Sequence, residues 1–539
     1  MHIVVLLCFL FSLLSASHGA KILITSAHDS SSHINSMKPF FTRLAEEGHD
    51  VTVFDTSNSE KPKNFGPKIK VVHIGITPEQ VTTLVGENFV EQMGYRQWQM
   101  DMNTLFFSVY LPIMDKVLGL FMDQHSEKVE GMEKVVKPFW LFIEGFIQKL
   151  VFQFYSVTND TWDLVISDEL FGVHQFALNT VLKRDRGTPY IVFATSTMLM
   201  SSYIANSFGR PGLVRPGMFP PLPANGQDIF DPTNFYLRIH GFTQDAVEYV
   251  SLRYIVENFF YKNLERFGAT DFTWAQYMKK SSLIFTDHFD RFQFPMPEGT
   301  DLHGVGSHCP EPKTLDGDFL KFVEDPKSKG TIYVAFGSFV KWEYAPEHVL
   351  NAFVGAINEL SEYRIVFSYN GKRKLRFKDH VKVTSWAPQQ GILSHNRTTL
   401  FVSHGGLKSM KEALCTFTPV VYMPMFAEQA HNARIALEMG IGGAVNKYTI
   451  NKEIFLAELR HVLEHNDAYI QKVRTVHSIY MDRMIPSLDE AVFYIERVLR
   501  KKNGPILFKR AGIDLGWTEH LHLELVAILL GSWWLLTKN

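Results

Sequence analysis

The chain has 539 residues, a formal net charge of −2, and 46% hydrophobic against 20% charged residues. That length calls for two or three domains, and the composition is globular and rich in core. The near-neutral balance speaks against a nucleic-acid binder, and three cysteines do not make a disulfide scaffold.

Residues 1–19 read as a secretory signal peptide. An apolar run from Ile3 to Leu14 gives way to small residues, with Ser17 and Gly19 suiting a cut before Ala20. Cys8 lies in this leader, so the mature chain keeps Cys309 and Cys415, at most one bridge. Asn159 and Asn396 head glycosylation sequons consistent with the secretory route. Residues 21–55 predict strand, loop, helix, strand: Ile22–Thr25, a Ser/His/Asp loop, a helix from about Ser36 to Glu47 closed by Gly48, then Val51–Phe54. The stretch from about 85 to 290 is dense in aromatic residues and Met, and reads mostly as helix core. Part of it is free to line an apolar pocket or face a membrane.

Residues 295–325 begin rich in Pro, Gly and Asp, and form the natural linker between domains at 20–294 and 326–486. Beyond the linker the first pattern returns: strand Ile332–Phe336, loop Gly337-Ser338, a helix from Pro346, strand Ile365–Ser368. Alternating units of this kind imply two α/β, Rossmann-like domains, each a parallel sheet covered by helices. At the far end Leu525 to Leu536 is uninterruptedly apolar. As a helix it spans about 18 Å against a hydrocarbon core of ~30 Å. With Trp533 and Trp534 suited to an interface, 521–539 reads as a membrane-anchoring helix, and a docked amphipathic tail is the competing reading.

Neither opening strand leads into GxGxxG, and GxxxxGK and GxSxG are missing. Asp316-Gly-Asp318 has the spacing of a metal-binding pair but lies in the linker, so no metal is expected. Residues 384–433 remain. Trp386, ahead of Pro388 at a strand mouth, offers a ring for stacking. The run Phe401-Val402-Ser403 stops at His404, Gly405 and Gly406, where a helix opens with Lys408 in its first turn; unpartnered N–H groups there make an anion cradle. A strand Val420–Met423 then leads through Pro424 to Glu428 and Gln429. Three strand ends in a row thus carry a stacking ring, an anion cradle and a carboxylate–amide pair, where open α/β sheets bind ligands.

The run resembles the signature of the UDP-glycosyltransferases, in the glucuronosyltransferase-like branch of animals. Trp386, Pro388, Gln389, His404, Gly405, Gly406, Glu412, Pro424, Glu428 and Gln429 carry the likeness, and "FGS" at 336–338, "FQFP" at 292–295 and "LDEAVFYIERVLR" at 488–500 extend it. The resemblance implies a GT-B architecture, two Rossmann-like domains facing across a cleft, with helices at 487–520 returning toward the first domain. It implies that Trp386 stacks on uracil and that Gln389 helps hold the nucleoside. Ser338, His404 and the turn at Gly405 and Gly406, with Lys408 and Ser409 behind it, would take the pyrophosphate. Glu412 would accept from the ribose, and Glu428 and Gln429 would contact the sugar. The family usually has Asp where this chain has Glu428, and commonly Asn where it has Lys408.

Inverting transfer needs a base, and the loop after the first strand offers His33 at the family's position, with His28 beside Asp29 as the alternative. Asp168, at the end of the strand from Leu164, would orient the ring; a helix cap is the plainer reading of it. The expected partners are a UDP-sugar co-substrate, a small lipophilic acceptor and a membrane, with no separate cofactor, no metal and no nucleic acid. A homo-oligomer is allowed. From the family alone, the expected location is the endoplasmic reticulum membrane, catalytic domains in the lumen. A sugar-nucleotide or lipophile-binding relative with impaired turnover is the alternative.

Overall fold

The computed structural model describes residues 19–26, 31–57, 61–73, 94–95, 97–99, 157, 160–169, 173–199, 202, 230–250, 264–265, 268–289, 292, 299–501, 515, 519 and 522–538. The expected leader lies outside the described residues but for Gly19; His28, Asp29 and Asn159 lie outside them too.

The first sheet starts with β1 (Lys21–Thr25), whose Ile22, Leu23 and Ile24 are buried on both faces, as a central parallel strand requires. Burying such a side chain contributes about 1.5–3 kcal/mol. Helix α1 (Ser31–Glu46) follows and is closed by Gly48, whose φ of +96° suits glycine; the His49 amide reaches back to the Leu44 carbonyl at 3.1 Å. Then come β2 (Asp50–Asp55), β3 (Ile69–His73), β4 (Leu164–Asp168), α2 (Val173–Arg186), β5 (Tyr190–Ala194), α3 (Phe235–Val250), α4 (Trp274–Lys280), β6 (Leu283–Thr286) and β7 (Leu302–Gly304). The seven strands lie in the order β3-β2-β1-β4-β5-β6-β7, all pairs parallel. Strand β7 falls inside the stretch expected as linker: three residues among Gly, Asp and Pro carry no periodicity, and only pairing with β6 makes them a strand.

The second half follows the same plan. Helix α5 (Gly317–Val323) leads to β8 (Thr331–Ala335), α6 (Glu347–Asn358), β9 (Arg364–Ser368), β10 (Val381–Thr384), α7 (Gln389–Ser394), β11 (Thr398–Ser403), α8 (Leu407–Cys415), β12 (Val420–Tyr422), α9 (Gln429–Glu438) and β13 (Gly442–Ala444). The six strands run β10-β9-β8-β11-β12-β13, again all parallel. On α6, Val349, Leu350, Phe353, Ala356 and Ile357 recur at helical spacing and are buried, packing into the core beneath β8 and β9. Each sheet reverses strand order once, between β1 and β4 and between β8 and β11. Those reversals are where doubly wound sheets open a crevice at their carboxyl ends.

Helices α10 (Lys452–Glu464), α11 (Asn466–Met481), α12 (Ser487–Arg500) and α13 (Leu523–Lys538) complete the described residues. Ala491, Ile495 and Val498 of α12 join the core of the first sheet, and Asp489 pairs with Arg43 of α1 at 3.1 Å. Traffic also runs the other way. Trp98 is buried in the core of the second domain, its ring 5.0 Å from that of Trp342. Helix α13 has 16 residues and exposes Leu529, Trp533, Trp534 and Leu536. Among the described residues no helix is long and apolar enough to cross a membrane.

Candidate active site

Helix α1 starts five residues earlier than the sequence suggests, so His33 sits in its first turn rather than in the loop before it. Ser and His near a helix start are weak helix formers, and their pull toward loop hid the boundary. His33 Nδ1 meets Asp168 Oδ2 at 2.5 Å, joining the ends of the two strands that flank the first switch point. Asp168 is fully buried and the His33 side chain is 19% exposed, so the pair has one open side. Thr195, just past β5, stands 2.9 Å from His33 Nδ1 and donates to Asp168 Oδ1 at 3.4 Å. Burial alone would lower the imidazole pKa; the Asp168 charge and hydrogen bond, with the charge of Glu428, hold it above the ordinary value. Thr195 escaped the sequence reading, although its place at a strand end was a usable signal.

The second domain presents its own carboxyl ends. Gly405 turns the chain at φ +87°, and a Cβ there would meet the Gln429 carbonyl at 3.0 Å. A Cβ on Gly406 would come within 2.7 Å of His404 Nε2, so both glycines are needed for the close approach. Burial pushes the His404 imidazole down to about 4, which leaves it neutral at physiological pH, and its Nδ1 is buried without a hydrogen-bond partner. Lys408 is half-buried in the first turn of α8. Burial lowers its pKa against the pull of Glu412 and Asp287, with Lys411 and Lys38 pushing the same way as burial. Gln389 donates to Glu412 Oε2 at 2.5 Å and to Ser409 Oγ at 3.1 Å, and Gln390 donates to the other Glu412 oxygen at 3.1 Å. Trp386 is 71% exposed in the loop between β10 and α7, and Ser338 is exposed in the loop after β8.

Glu428 lies between the halves. Ala427, at φ +55°, is a strained residue that directs the chain into it. Its carboxylate accepts from its own N–H and from that of Leu407, the first residue of α8. Burial raises its pKa, opposed by those donors and by His33. Gln429 is buried, its Oε1 accepting from the Met425 and Phe426 amides at 3.0 and 3.1 Å.

Contacts that sequence reasoning missed fasten the two sides together. Lys411 of α8 and Asp287, past β6, form an ion pair with side chains 6% and 2% exposed, and His308 Nε2 lies 3.4 Å from the same Asp287 oxygen. Burial raises the Asp287 carboxyl, but Lys411 and His308 outweigh it and hold the group below its usual value. His288 meets Asn432 Oδ1 at 3.1 Å, and Asn432 Nδ2 donates to the Gly405 carbonyl at 2.9 Å. The one bridge that the sequence left open is formed: Cys309 and Cys415 are joined in a disulfide, tying the segment after β7 to the last residue of α8. With His477 they are the Cys/His grouping close enough to share a metal ion among the described residues, but both sulfurs are spent on each other.

Two doubly wound domains with their switch points facing define a GT-B glycosyltransferase fold. Solved structures share it: a Polygonum tinctorium UDP-glucosyltransferase capable of glucosylating indoxyl, in complex with 3,4-dichloroaniline, matches at TM-score 0.53 and 14% identity, over 90% of this chain and 100% of that one. Phytolacca americana UGT2, complexed with UDP-2fluoro-glucose and pterostilbene, matches at TM-score 0.52 and 14% identity, over 89% and 100%. The sequence model described as "UDP-glucoronosyl and UDP-glucosyl transferase" matches residues 237–536, and the chain belongs to that family. Its similarity extends to UDP-glycosyltransferase UGT5 of Dactylopius coccus, 24% identical over 97% of this chain and 91% of that protein. Human UDP-glucuronosyltransferase 2B7 is also 24% identical, over 98% and 93%, which sets the chain in the animal branch.

Proposed function

We propose that this UDP-glycosyltransferase moves a hexose, glucuronic acid or glucose, from its UDP carrier to a hydroxyl of a small lipophilic acceptor, with inversion. The observation that carries the reading is the His33–Asp168 pair at one switch point, opposite the glycine turn at the other. With Nδ1–H donated to Asp168, the His33 Nε2 lone pair takes the acceptor's hydroxyl proton as the oxygen attacks the anomeric carbon. The bond from that carbon to the β-phosphate oxygen breaks, its electron pair leaves with UDP, and imidazolium remains facing Asp168. Trp386 stacks on uracil, Gln389 and Glu412 hold the nucleoside, and Ser338, His404 and the N–H groups behind Gly405 and Gly406 receive the diphosphate, joined by Lys408. Glu428 and the Gln429 amide face the sugar. The exposed apolar side chains of α13 support membrane attachment, and the leader supports entry to the secretory pathway, with the endoplasmic reticulum as the expected residence.

UDP release tests this directly. The purified chain is incubated with UDP-glucuronic acid or UDP-glucose and a panel of lipophilic phenols, beside His33→Ala. Acceptor-dependent release by the wild type, lost in the variant, is expected. UDP binding without release from any pair would favour the impaired binding relative, in which Lys408 and Glu428 have ended turnover.

A further inference from the structure

The loop after β8, residues 336–341, carries Ser338 past the carboxyl end of its strand, beyond the pairing that β9 and β11 give β8 on either side. What holds it comes from the other half of the sequence. Gln97 is 2% exposed; its Nε2 donates to the Phe339 carbonyl at 3.2 Å and its Oε1 accepts from the Lys341 amide at 3.2 Å. One carboxamide thus brackets Val340 with a donor and an acceptor, as a neighbouring strand would. Trp98 adds a bond from Nε1 to the Lys341 carbonyl at 3.0 Å and buries its ring against Trp342.

The same short segment reaches the other donor-side loop. Lys447, 4% exposed, donates to the Gln97 carbonyl at 2.7 Å and to the Met425 carbonyl at 2.6 Å. Met425 opens the turn that ends in Glu428, and the rings of Phe339 and Phe426 meet across the gap at 5.4 Å. Residues 97–98 therefore touch, directly or through one ammonium, both loops proposed to hold the phosphates and the sugar. A buried amide that satisfies two backbone groups fixes their conformation, because leaving them unpaired is unfavourable.

We infer that Gln97 and Trp98 are positioning residues for the donor: they set the loop that carries Ser338, and through Lys447 the loop that carries Glu428, so donor-phosphate affinity depends on a segment of the opposite half. This rests on the donor reading given above. It makes a prediction that general destabilisation does not share. Base and ribose are held by Trp386, Gln389 and Glu412, none of which touches residues 97–98 through a described hydrogen bond. Perturbing Gln97 should weaken binding of the diphosphate and spare the nucleoside.

The test uses the full chain with UDP and uridine as probes, UDP by calorimetry and uridine by ligand-observed NMR. Gln97→Ala removes both bonds; Gln97→Glu keeps the shape and can still accept from Lys341, but cannot donate to Phe339 when ionised. With two neutral hydrogen bonds at stake, UDP should bind about 5–30-fold more weakly to Gln97→Ala, uridine affinity holding within about twofold. Gln97→Glu should fall between it and the wild type, with melting temperatures showing that both variants are folded. Unchanged UDP affinity, or equal losses for UDP and uridine, overturns the inference. A wild-type chain that binds neither probe removes the donor reading itself and this inference with it.

Discussion

Consider Lys411→Met, a change that keeps most of the side chain's volume and removes its charge. Both members of the Lys411–Asp287 pair are nearly inaccessible, at 6% and 2%, so water cannot take over the abandoned carboxylate. Breaking such a pair from one side typically costs about 3–5 kcal/mol, while replacing both members by apolar residues is often neutral or favourable. Asp287→Leu should lie at the upper end, since it strands an ammonium beside His308. Lys411→Met should be milder, because His308 lies 3.4 Å from Asp287 and can carry the compensating charge. Its imidazole sits below the ordinary value chiefly through burial, and Lys411 adds to that depression. Removing Lys411 therefore raises the His308 pKa, and the penalty in Lys411→Met should shrink as pH falls. Asp287→Leu/Lys411→Met should recover most of the loss. The measurement is equilibrium denaturation of the four proteins at two pH values, with UDP affinity alongside, since α8 carries the glycine turn and Glu412. If the double variant loses the sum of the single losses, the two residues are uncoupled and the reasoning is wrong.

His33→Ala should cut transfer by about 10²–10⁴-fold with UDP binding retained, and near-normal turnover would move the base elsewhere. Because the folded His33 pKa is raised, kcat/KM in the wild type should climb through an acid limb above pH ~6.5, and a limb below that value would contradict the Asp168 contact. His404 has its folded value depressed to about 4 against an unfolded ~6.5, so the unfolded chain binds more protons between those values and stability should rise with pH across that window. His404→Gln should flatten the rise in melts from pH 4 to 7; an unchanged slope would deny the burial argument. Lys408→Ala should weaken UDP binding about 10–150-fold, and equal affinity would place the ammonium in solvent.

The central strands were legible where they are continuous apolar runs, a signal local to each segment. Ile22–Thr25 and Val51–Phe54 needed nothing beyond themselves. The candidate site was readable as a proposal where its residues lie on strand ends in one run, from Trp386 to Gln429. It was illegible wherever chemistry depends on pairing across the cleft. Asp287, Lys411 and Gln97 are ordinary polar residues in sequence, and their burial follows from a docking that no local pattern encodes. The start of α1 was missed for a related reason: the Ser/His stretch before Ser36 reads as loop, and its helical form has buried Ile34 as a member of the first domain's core.

The two domains are interlaced at both ends. Helix α12 finishes the core of the first domain although it lies after the second in the chain, and Trp98 fills the second although it lies in the first. A recombination event that joined a foreign first half to this second half anywhere in 295–325 would therefore inherit mismatches at three separate places. Trp98 would be exchanged for an unmatched plug, Asp287 for a stranger opposite Lys411, and α1 would meet an α12 shaped for another partner. Acceptor and donor preferences in this chain are thus expected to diversify by point substitution within each half, since shuffling whole halves would break the packing that both share.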